Sequence, residues 1–115
     1  MTTRECYDKM GGNFDDVMQR LGSENFIRRF AVRFLDDTSF QMIKDGIASG
    51  DAELAFRGAH TLKGVCSNLG FTKLYEVSSD LTEILRNREL NGYEVAWNEV
   101  EKQYQITIEA IKELD

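Results

Sequence analysis

No proline occurs anywhere in the 115 residues of this chain. A proline inside a helix deletes a backbone hydrogen bond and clashes with the turn before it. Its absence permits long unbroken helices, and the punctuation falls to glycine and asparagine. Asn13 can cap a helix whose first turn carries Asp15 and Asp16, where acids suit the helix dipole, and Gly22 ends it. Ser23 caps a second helix to about Asp36, striped by Phe26, Ile27, Phe30, Phe34 and Leu35. Thr38 opens a third, with Gln41 in capping-box position. It carries Phe40, Ile43 and Ile47 inward and stops at Gly50. Asp51 caps a fourth that runs to about Leu69, where Gly70 supplies a left-handed stop. A fifth covers about 72–87 on Leu74, Val77, Leu81, Ile84 and Leu85, and Asn91-Gly92 breaks the chain again. The last helix follows a seam of Tyr93, Trp97, Val100, Tyr104, Thr107, Ile111 and Leu114. Residues 7–21 form a lead broken by Gly11-Gly12.

The expected fold is all-α: an antiparallel up-down four-helix bundle with one or two short N-terminal helices packed at one end. One domain over 1–115 is expected, with N-terminal helices at about 4–36 and the bundle at about 38–114. Cys6 and Cys66 lack the spacing of a metal site or a disulfide framework, which points to a reducing compartment. No segment approaches the roughly 20 apolar residues of a membrane span. A cytoplasmic location and no membrane partner are expected. The net charge of −6 disfavours a broad nucleic-acid surface while allowing a local basic spot.

Within the fourth helix the run Ala59-His60-Thr61-Leu62-Lys63-Gly64 holds the single histidine. At 100° per residue, Ala55, Gly58, Leu62, Val65 and Leu69 fall opposite His60, with Cys66 near the edge of that stripe. Phe56, Arg57, Lys63, Gly64 and Ser67 fall within about 60° of it. His60 is therefore expected on the outer face, flanked by Lys63 and Arg57 and with a gap beside it at Gly64. A glycine inside a helix costs about 1 kcal/mol relative to alanine. A packing glycine belongs on the buried stripe, and Gly64 does not lie there.

An imidazole in water is largely neutral at pH 7 and nucleophilic through a ring lone pair. No second histidine exists, so a serine or cysteine nucleophile has no base partner except His60 itself, and Cys66 points inward. Zinc would need more nitrogen or sulfur ligands on this face, so no metal site is expected. No Walker-type loop is present. The chemistry left is an exposed histidine that accepts a group from another protein and returns it. A phosphoryl group fits best, because Lys63 and Arg57 can neutralise its oxygens and Gly64 leaves room for a bulky partner.

His60-Thr61-Leu62-Lys63-Gly64, followed by Ser67 and Gly70, resembles the motif of the histidine-containing phosphotransfer (HPt) domain of two-component phosphorelays. The resemblance implies that His60 is the phosphoacceptor, through its distal ring nitrogen. It implies that Lys63 holds the phosphoryl oxygens, that Gly64 clears the approach, and that Ser67 bonds near the phosphoryl group. The implied partners are response-regulator receiver domains, each carrying the group on an aspartate, and hybrid sensor kinases. The receiver would bring magnesium, so the domain itself needs no cofactor. It would have no ATP site and no kinase activity, and monomer is the default state. Phe56 stands where polar residues are common in the family, and an apolar docking patch for the receiver is one role for it. The competing readings are a helical scaffold that binds receivers without phosphotransfer, and an HPt module detached from a hybrid or chemotaxis-type kinase.

Overall fold

A computed structural model describes residues 1–114. The elements are α1 (Thr3–Met10), α2 (Phe14–Leu21), α3 (Glu24–Arg33) with a 3-10 turn (Phe34–Asp36), α4 (Ser39–Ser49), α5 (Ala52–Leu69), α6 (Thr72–Ile84) and α7 (Glu94–Lys112). No strand occurs among the described residues. Helices α4 to α7 form the bundle, each packed on the next. The eight-residue helices α1 and α2 are the short N-terminal pair, and α3 joins them to the bundle.

The caps act where the sequence places them. The side chains of Asn13, Ser23 and Asp51 accept from the backbone N–H groups of Asp16, Phe26 and Leu54. Thr38 is the exception, because its side chain makes no capping bond. The Asp37 carboxylate does that work instead, accepting from the Ser39 backbone N–H at 3.0 Å and from the Ser39 hydroxyl. Gln41 turns to Asp45. The stripe on α3 is also narrower than its sequence suggests. Ile27, Ala31 and Phe34 are buried, whereas Phe26 and Phe30 are 47% and 38% exposed under Arg29 and Arg33. A ten-residue helix has one flank to offer the bundle, and these two rings lie beyond it. Helix α6 stops at Ile84, earlier than expected.

At two glycines the backbones of α4 and α5 approach too closely for any side chain to stand there. A Cβ built on Gly46 would lie 2.5 Å from the backbone N of Ala55. One built on Gly58 would lie 2.8 Å from the backbone N of Ile43. The far side of α4 is closed by aromatic rings: Phe40 stacks on Tyr104 at 3.8 Å between centroids and on Trp97 at 5.2 Å. Phe34 continues the series from Tyr104 to Phe71, and Phe71 passes it to Tyr7.

The end of α5 is held by the α1–α2 corner. Gly70 turns the chain at φ +69°, and its carbonyl accepts from Asn13 N–H at 2.8 Å. The Tyr7 hydroxyl donates to the Leu69 carbonyl at 2.6 Å. Arg20 donates to the Asn68 carbonyl at 3.0 Å, a cation at the negative end of the helix dipole.

The two kinds of helical glycine should respond in opposite directions to alanine. Gly46→Ala overpacks the α4–α5 contact and should cost about 1–3 kcal/mol. Gly64→Ala, where an added Cβ meets nothing within 4 Å, should gain up to about 1 kcal/mol. Urea denaturation of the two variants checks both signs.

Candidate functional site

Helix α5 presents one face to the bundle and one outward. Ala55, Gly58, Ala59, Leu62 and Cys66 are buried. His60 is exposed, as are Arg57, Gly64 and Ser67. Val65 and Leu69, expected in the buried stripe, are only partly covered. Burial pushes the Cys66 thiol well above its ordinary range, with the charge of Asp37 adding to the effect. That thiol is an inert core group rather than a nucleophile.

His60 lines a groove with Met42, Phe56, Arg57, Thr61, Arg86 and Arg88. Its ring lies 5.9 Å from that of Phe56, tilted at 44°. Phe56 does not stand on the solvent face as its angle on α5 suggests. It is 7% exposed, because the connection between α6 and α7 folds over it. The Arg88 guanidinium sits 3.8 Å from the Phe56 ring centroid, and that of Arg86 at 5.8 Å. The ring is thus a platform beneath two cations, and a receiver could not use it as an open apolar patch.

The basic residues around His60 are anchored by acids. Glu53 accepts from Arg88 Nε at 2.9 Å and faces Arg57 Nε at 3.9 Å. Glu83 accepts from Arg86 Nε at 2.8 Å. This bond to Arg86 holds the Glu83 carboxyl below the usual carboxylate range, and the charge of Lys63 contributes in the same direction. Lys63 is partly buried and lies outside the His60 groove, toward α6. Gly64 and Ser67 continue the exposed face beyond His60, and an added Cβ at Gly64 would meet no atom within 4 Å.

Of the residues picked out in the sequence, His60, Arg57 and Phe56 share the groove. Gly64 and Ser67 flank it along the helix, and Lys63 sits on the α6 side. The helical wheel of α5 does not include Arg86 and Arg88, although the sequence carries a signal for them. In an antiparallel hairpin turning at Gly70, residues 56 and 84 lie at equal distances from the turn. The cations just after residue 84 therefore return to the level of Phe56 and His60.

A family model described as the Hpt domain matches residues 33–114. No curated protein and no solved structure matches the chain. The match covers most of the chain and its whole bundle, and the protein belongs to the Hpt family, whose domains transfer phosphoryl groups through histidine in phosphorelays. No described helix is long and apolar enough to cross a membrane.

Because Phe56 is buried under Arg88, Phe56→Ala should destabilise the fold by about 3–5 kcal/mol. A thermal midpoint within a degree or two of wild type would mean that the ring is a surface group after all.

Proposed function

We propose that His60 accepts a phosphoryl group from the aspartate of one receiver domain and passes it to the aspartate of another. The observation that carries this reading is an exposed imidazole beside open space at Gly64, on the outer face of a helix in an Hpt bundle. A ring nitrogen forms a bond to phosphorus as the phosphorus–oxygen bond to aspartate breaks. The electron pair leaves on the carboxylate, and the reverse step restores the imidazole. Such a transfer depends mainly on position and charge. Lys63 and Arg57 supply cations at the helix face, and Ser67 supplies a hydroxyl one turn beyond Gly64. Magnesium belongs to the receiver, and the domain works without nucleotide or kinase activity of its own. It acts in the cytoplasm as a monomer, between a hybrid sensor kinase or other phosphorylated receiver and a downstream regulator.

Incubation with a phosphorylated receiver and magnesium should place label on the wild-type protein that survives alkali and is lost in acid. His60→Gln should take up none. Absence of label from every receiver in a broad panel would favour a non-catalytic scaffold instead.

Gly64→Gln separates access from stability. Glutamine is the better helix former, so the variant should be as stable as wild type or more so. It should transfer on the order of a hundredfold more slowly, because the side chain displaces the approaching acyl phosphate. Equal rates would remove the access argument.

A further inference from the structure

We propose that Arg86 and Arg88, reaching over from the α6–α7 connection, form with Arg57 an anion pocket that takes the phosphoryl group carried by His60. The inference rests on the phosphotransfer reading and adds to it a cationic wall brought by a different part of the chain. All three arginines line the groove that contains His60. Glu53 and Glu83 engage them, which leaves one guanidinium charge in excess, in a protein whose net charge is −6. A phosphoryl dianion supplies the missing negative charge, and guanidinium groups bind it in a planar, two-pronged fashion.

The backbone at Arg88 is the second observation. Its φ of 59° makes it the one described non-glycine residue in the left-handed region. Such a conformation costs stability for any residue with a Cβ, and glycine would adopt it freely. The arginine is held there by its side chain. It stacks on Phe56, donates through Nε to Glu53 at 2.9 Å and donates through Nη1 to the Arg86 carbonyl at 2.6 Å. Strain fixed in this way beside a reactive group points to a function for the side chain. A loop needing only to turn would be served better by glycine.

Phosphoramidate tests the pocket without a receiver. The His60 nitrogen bonds to phosphorus while the donor's own nitrogen leaves as ammonia. Wild type should be labelled, and the Nε–H resonances of Arg86 and Arg88 should shift as label accumulates. At equal ionic strength Arg88→Gly should be labelled on the order of tenfold more slowly, with Arg88→Lys in between. Sulfate should slow wild type markedly and Arg88→Gly much less, since only Arg57 and Arg86 remain, a difference that a purely structural role would not produce. Labelled wild type with unmoved arginine resonances, or equal labelling rates for Arg88→Gly and wild type, overturns the pocket and leaves phosphotransfer standing. Wild type that takes no label at His60 overturns the phosphotransfer reading itself, and the pocket with it.

Discussion

The bare contact between α4 and α5 governs the rest of the molecule. With hydrogen in place of side chains at Gly46 and Gly58, the two backbones approach until Cβ atoms would collide. A contact this close has one rotational setting. Turning α5 would drive Ala59 or Arg57 into α4. Gly58 thus directs its own side of α5 inward, and His60, about 200° further round, must face out. The exposure of the imidazole is a consequence of how the core is packed, and no local device at His60 is needed to produce it. The ring stacking of Phe40 on Tyr104 and Trp97 then holds α4 from the other side, so the setting has little freedom to drift.

The parts of this structure that were legible in the sequence are those decided by neighbours along the chain. Asn13, Ser23 and Asp51 cap because their side chains reach N–H groups three residues on. Gly22, Gly50 and Gly70 stop helices because they adopt positive φ. The outward position of His60 is legible from its angle to the apolar stripe of α5. What was not legible depends on residues distant in sequence. The angle of Phe56 on α5 points it outward, and its burial comes from Arg88, which no helical wheel includes. Nothing along the chain marks Gly46, because its reason lies in the backbone of Ala55. At the start of α4 Thr38 and Asp37 are both good capping residues, and the acid, the stronger acceptor, takes the N–H.

Charge around the histidine is divided between two walls. On one side the groove gathers Arg57, Arg86 and Arg88, tethered by Glu53 and Glu83. Lys63 lies outside that groove, toward α6 and within range of the same Glu83. Beyond it the helix face is left open at Gly64. Each of the three arginine side chains thus has an acidic partner at the protein surface, which biases the guanidinium groups toward the groove rather than toward open solvent.

The family match begins at residue 33, yet the interior does not. Cys6, Tyr7, Val17, Ile27 and Ala31 are fully buried and belong to the same apolar cluster as Leu62, Leu81 and Ile111. The carbonyls that end the histidine helix are answered by Tyr7 and Arg20. The span of the family match and the solid body that coheres around it therefore have different edges here. The opening residues are masonry for the bundle: Tyr7, Val17 and Arg20 supply a wall that the histidine helix leans on.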